Sequence, residues 1–179
     1  NLKEFLDYAK SNSDKMTYGS GGQGTLTHLA MEQLKIQGHF MSTHAPYRGI
    51  GPAFTDLMGG QTLSMFPGLA AALPHIKSGK AKPIAVTGLK RHPLLPDIPT
   101  FKEAGYDIRG GSLRGIGAPS GLPEAVVRRL SAAISNVLRH PDFREASVRT
   151  FQPLRFLDSA DYVAYLREAD AAHRALWRM

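Results

Sequence analysis

Tyr18-Gly19-Ser20-Gly21-Gly22-Gln23-Gly24-Thr25-Leu26-Thr27-His28-Leu29 joins an extended segment, Lys15 to Gly19, to a helical stretch from Thr25 to Gln37 that Gly38 stops. A strand that passes through glycines into a helix is the opening unit of an α/β fold. Consecutive glycines let backbone N–H groups converge on an anion, and the following helix adds unpaired amides and the positive end of its dipole. Ser20, Thr25 and Thr27 add hydroxyl donors. The same residues also read as a tight turn before a capped helix, but the loop is richer in glycine than a turn requires.

Outward from this loop, extended and helical periodicities alternate. Upstream, Leu2, Phe5, Leu6 and Ala9 mark a helix from Leu2 to Lys10. Downstream, a strand is expected over His39 to Ala45, a turn over Pro46 to Gly51 and a short helix from Pro52 to Met58. A third strand is expected over Thr62 to Phe66, a helix over Ala70 to Lys77 and a buried strand over Lys82 to Thr87. Pro93, Pro96 and Pro99 punctuate a loop, because each removes an amide donor and restricts the residue before it. A short helix at Thr100 to Ala104 follows it. The pattern predicts an α/β protein with a mainly parallel sheet flanked by helices.

Gly110-Gly111-Ser112-Leu113-Arg114-Gly115-Ile116-Gly117 is too glycine-rich for a strand interior and reads as a crossing between lobes. Beyond it Pro123 opens a helix with the apolar stripe Val126, Val127, Leu130, Ile134, Val137 and Leu138, which Pro141 stops. Asp158 through Trp177 is the final helix.

A second loop repeats the logic of the first: His44-Ala45-Pro46-Tyr47-Arg48-Gly49-Ile50-Gly51-Pro52-Ala53 is again strand, glycine turn and helix start. Two such loops at the carboxyl ends of neighbouring parallel strands face one crevice, where open α/β sheets bind ligands. Arg48 reads either as a carboxylate clamp or as a solvated turn residue. Tyr47 is a ligand contact or the cover of a small core, and His28 a ligand-facing donor or a helix-surface residue.

The 179 residues carry a net charge of +7 and no cysteine, which excludes disulfides, thiolate metal sites and a cysteine nucleophile. The charge is spread as +4 over residues 1 to 110 and +3 over 111 to 179. Without a basic block or interleaved aromatics it suits a small anion better than nucleic acid. No apolar run approaches the roughly 18 residues of a membrane span, so no membrane insertion is expected. The chain opens at Asn1 inside an amphipathic segment, with no initiator Met and no signal peptide, and an upstream portion is expected.

Gly19, Gly21 and Gly24 match G-x-G-x-x-G, yet His39 to Gly51 lacks the acidic residue that holds a dinucleotide's ribose. Arg48 facing a phosphorylated dinucleotide keeps that reading as an alternative. The histidines form no metal constellation: His39 and His44, five apart on one expected strand, would face opposite ways, and His28 has no partner at ligand spacing. No nucleophile elbow or carboxylate pair flanks either loop, so neither catalytic residues nor a cofactor are expected.

Three ordered blocks complete the reading. They are Tyr18 to Gly24 with His28-Leu29-Ala30; Pro46 to Ala53 with Asp56-Leu57 and Gly59-Gly60-Gln61; and Leu95-Pro96-Asp97-Ile98-Pro99-Thr100 with Glu103-Ala104-Gly105. Together with Gly117-Ala118-Pro119 and Pro123 they resemble the tripartite tricarboxylate transporter substrate-binding proteins, the Bug family, along essentially the whole chain. The resemblance implies a periplasmic receptor of two α/β lobes that closes on a small carboxylate and delivers it to a membrane permease, without chemistry at the ligand. It implies carboxylate binding by Ser20, Gly21, Gly22, Gly24 and Thr25, with Tyr47, Gly49 and Gly51 as a second set; His28 and Arg48 join the candidate ligand contacts from their places beside the two loops, not from the resemblance. It also implies that residues 1–110 form a complete periplasmic-binding-protein-like lobe. Residues 111–179 would be the hinge crossing and helical return segment of another lobe whose N-terminal part is missing, and such a chain is expected to self-associate. Where the family usually has Asp-Asn after the strand at Met65-Phe66, this chain has Pro67-Gly68, which argues against an amino-acid ligand. An enzyme binding a phosphorylated substrate or NADP, and the effector-sensing domain of a transcription regulator, are the competing classes.

Overall fold

The computed structural model describes residues 1–108, 114–152 and 154–176. Helix α1 (Leu2–Ser11) starts at a capping box in which the Asn1 side chain accepts from the Glu4 amide at 3.0 Å. It buries Leu2, Leu6 and Ala9, the apolar face visible in its spacing. Strand β1 (Thr17–Ser20) follows and becomes the centre of a three-stranded sheet. Helix α2 (Leu26–Gly38), strand β2 (Thr43–Pro46), helix α3 (Ile50–Met58), strand β3 (Ser64–Met65) and helix α4 (Leu69–Lys77) complete the regular part of this unit. Both outer strands run parallel to β1, in the order β2-β1-β3.

The register sets Tyr18 opposite His44 and Gly19 opposite Ala45. Because side chains alternate along β1, Tyr18 and Ser20 point to one face and Gly19 to the other. The Tyr18 hydroxyl donates to Glu32 of α2, so α2 covers the first face. On the second, a Cβ at Gly19 would stand 3.5 Å from the Ala53 Cβ of α3 and 3.4 Å from the Tyr47 ring. The core joins Leu2, Leu6 and Ala9 of α1 to Met31 and Leu34 of α2, with Met16, Tyr18, Phe40, Phe101 and Ile108. Each large apolar side chain so buried contributes about 1.5–3 kcal/mol.

Some local expectations are corrected. The strand expected from His39 begins at Thr43, because Gly38 continues α2 and His39 takes a left-handed φ of 53° as its C-cap. Phe40 then turns into the core. Residues 82–87 make no strand: Val86 forms a single bridge to Thr100, and Pro83 has no amide to donate. Thr100 to Ala104 is not a helix but a pair of turns. There the Thr100 amide donates to Glu103 Oε2 and the Glu103 amide to Thr100 Oγ1, each at 3.0 Å.

The chain divides into two compact units, Asn1–Ser112 and Leu113–Met179. The second contains α5 (Glu124–Arg139), α6 (Pro141–Arg149) and α7 (Ser159–Leu176); Pro141 both ends α5 and opens α6. None of its described residues is buried, and Val126, Leu130 and Val137 of the apolar stripe are 41%, 46% and 50% exposed. Gly110 to Leu113 of the expected crossing, and Trp177 of the final helix, lie outside the described residues.

Candidate functional site

The carboxyl ends of β1 and β2 release the chain into two loops that touch. The Tyr47 amide donates to the Ser20 carbonyl at 3.1 Å, and the Gly49 amide to the Gly21 carbonyl at 3.2 Å. Gly22 and Gly49 hold φ of 135° and 105°, values that a side chain would strain.

Inside the first loop the hydroxyls brace the backbone. The Gly21 amide donates to Thr27 Oγ1 at 3.0 Å, Thr27 and Thr25 share a hydrogen bond of 2.8 Å, and the Thr25 hydroxyl donates to the Gly22 carbonyl at 2.7 Å. The Gly22 amide donates to Ser20 Oγ at 3.1 Å, and the Gly24 amide to His28 Nδ1 at 3.1 Å. The amides of Gly21, Gly22 and Gly24 are thus engaged within the loop.

The free donors stand just beyond it. Thr25 and Gly49, the N-caps of α2 and α3, make no side-chain cap, so the first amides of both helices are left without an acceptor among the described residues. These are Leu26 and Thr27 on α2, and Ile50 and Gly51 on α3; Pro52 has no amide to satisfy. Two positive dipole ends and four amides bordering one pair of touching loops suit an anion. Of these four residues the sequence points to Gly51 as a binding residue and to Thr27 through its hydroxyl, but not to the amides of Leu26, Thr27 and Ile50. Those amides are free because the Thr25 hydroxyl is turned to the Gly22 carbonyl and Gly49 has no side chain to cap with.

The remaining expected residues fall in distinct places. Arg48 is exposed in the second turn. The Tyr47 hydroxyl donates to Asp56 Oδ2 at 2.6 Å, and that bond, with some burial, raises its pKa. His28 is buried rather than on the helix surface. Its ring is buried between α2 and β2, stacked on His44 at 4.1 Å between centroids, with Tyr18 stacked on His44 at 4.8 Å. His44 Nε2 lies 2.6 Å from Ser20 Oγ. Glu32 accepts from the Tyr18 hydroxyl and from Lys35 Nζ at 2.9 Å. Burial pushes the Glu32 carboxyl up, but the bonds from Lys35 and Tyr18 outweigh it and leave the pKa lowered. Burial first, and the Glu32 partner second, raise the pKa of Tyr18. This network escaped the sequence reading because it depends on the Tyr18–His44 register.

Among the described residues no group of three or more His, Asp or Glu side chains is placed to hold a metal, and no helix is long and apolar enough to cross a membrane. A family model described as the tripartite tricarboxylate transporter family receptor matches residues 1–176. The chain belongs to this receptor family.

Its relatives extend the likeness. A UPF0065 protein of Cupriavidus necator is 31% identical over 175 residues, covering 98% of this chain and 53% of its own length. A Rhodopseudomonas palustris protein solved with adipate superposes with a TM-score of 0.81 at 26% identity, over 99% of this chain and 58% of that one. MatC of the same organism, solved with bound malate, gives 0.74 at 32% identity, over 84% and 51%. The chain spans about half the length of the curated relatives it matches.

Proposed function

We propose that this receptor-family chain is part of an extracytoplasmic, periplasmic solute-binding protein that captures a small carboxylate and hands it to the permease subunits of a tripartite tricarboxylate transporter, without catalysis. The observation that carries the reading is the pair of uncapped helix starts, Leu26-Thr27 and Ile50-Gly51, beside two loops joined through Gly21 and Gly49. Backbone amides there hold a carboxylate by charge and geometry and are indifferent to what it is attached to. The adipate and malate bound by two structural neighbours support this ligand class.

In this reading residues 1–110 supply one lobe and 111–179 cross to and return from the other. Two facts support that division: the chain's share of its relatives' length, and a second unit with no buried residue among those described. Titration calorimetry with adipate, malate, an aromatic acid, NADP and a sugar phosphate tests the function. Saturable binding of a carboxylate, unchanged by a chelator, is expected. Saturable NADP binding with turnover would overturn the reading in favour of an enzyme.

A further inference from the structure

Behind the first loop lies a polar pair, one ring buried and one half-buried, that anion capture itself does not use. His28 and His44 stack at 4.1 Å, and each touches the loop: His28 Nδ1 accepts from the Gly24 amide, and His44 Nε2 bonds Ser20 Oγ, which in turn accepts from the Gly22 amide. We propose that His28 and His44 are positioning residues whose uncharged rings hold the Ser20–Gly24 loop in its anion-receiving shape, so that protonating the pair loosens the loop and weakens ligand binding. The affinity half of this proposal rests on the carboxylate-receptor reading; the loop half does not.

The direction follows from donors and acceptors. Nδ1 of His28 accepts the Gly24 N–H only through its lone pair, so a proton there would set two donors against each other. Two imidazolium rings at this separation would also repel, His28 being buried and His44 half-buried. Among the described residues Tyr18 from β1 and Glu32 and Lys35 from α2 face the pair; the Glu32 carboxylate, 3.9 Å from His28 Nε2, is already bonded by both Tyr18 and Lys35. Burial first, and the neighbouring His28 second, lower the pKa of His44, consistent with a ring held neutral.

The test follows the Gly22 and Gly24 amide resonances of the full 15N-labelled chain between about pH 5.5 and 8, alongside adipate and malate titrations over the same range. The Gly24 amide should move with imidazole titration in the wild type and stay fixed in His28→Asn, whose side-chain oxygen restores the acceptor without a titrating ring. Carboxylate affinity should fall at least about fivefold on acidification. His28→Leu and His44→Leu should lose at least about tenfold at neutral pH. His28→Asn and His44→Gln should recover much of that loss and flatten the pH profile. A Gly24 amide that ignores imidazole titration, or affinity that is flat or rises on acidification, would overturn the proposal. Should neither acid bind at any pH while the amide still tracks the imidazoles, the receptor reading fails and the support of the loop by the pair stands.

Discussion

Gly21 and Gly24 answer a side chain differently. A Cβ at Gly21 would meet Gly49 and Thr27 Oγ1 at 3.7 Å, an ordinary contact, so Gly21→Ala should keep the fold. Gly24 has open space around its Cβ but a φ of 75°, so the penalty there comes from the backbone alone. Gly24→Val should cost about 1–3 kcal/mol and draw the Gly24 amide away from His28. Calorimetry should then show carboxylate affinity reduced at least about tenfold. Stability should also depend on pH through the residues behind the loop. His44 titrates lower in the folded protein than its ordinary 6.5, and Glu32 lower than its ordinary 4.5. Below each of these ordinary values the unfolded chain therefore binds more protons than the folded one. Stability from His44 is complete above about 6.5 and is lost as the pH falls through its lower folded value; Glu32 adds a second loss below about 4.5. Urea midpoints should hold between pH 8 and about 6.5 and fall from there to pH 4, and His44→Gln should remove the upper part of the decline.

At the C-terminal end of α2, neighbouring substitutions should act in opposite directions. A Cβ at Gly38 would come within 3.0 Å of Leu6 and of the Phe40 ring, so Gly38→Ala should destabilise by about 1 kcal/mol or more despite alanine's better helix propensity. His39 is exposed at φ 53°, and His39→Gly should stabilise by about 0.5–1 kcal/mol. Thermal unfolding of the two variants would give melting temperatures on either side of the wild type. The same corner shows what could be read from the sequence. The helix–loop–strand alternation was legible, because apolar spacing and glycine loops are local signals. That Gly38 would stay helical, with His39 rather than Gly38 left-handed, was not, because it depends on Leu6 and Phe40 packing over that turn. The strand expected at residues 82–87 failed for a similar reason: apolar content placed Ile84 and Ala85 against the core, but Pro83 and a single bridge at Val86 give them no ladder. At the site, the two loops were readable from their glycines. Which amides are free, and which are consumed by Thr27, Ser20 and His28, depends on side-chain geometry that no spacing encodes.

For the whole chain, the contrast between the units decides behaviour in solution. The first has a continuous core from α1 to Ile108, whereas the described residues of the second leave Val126, Leu130, Val137 and Phe143 more than 40% exposed. Apolar surface of this kind drives association. Light scattering of the 179-residue chain should show a mass that rises with concentration, and Leu130→Lys with Val137→Lys should reduce it. A monomer at all concentrations would count against this expectation.

The order β2-β1-β3 also sets a sequence of events in time. The central strand is made first, and its partners, at Thr43–Pro46 and Ser64–Met65, follow later in synthesis. Until they arrive, β1 has two bare hydrogen-bonding edges, and each parallel pairing must close a long intervening segment before it gains a bond. Tyr18 and Ser20 wait in the same way for His44. A nascent chain halted between α2 and β3 would present an unsatisfied strand to its neighbours, so the interval before Met65 is synthesised leaves this sheet open to mispairing.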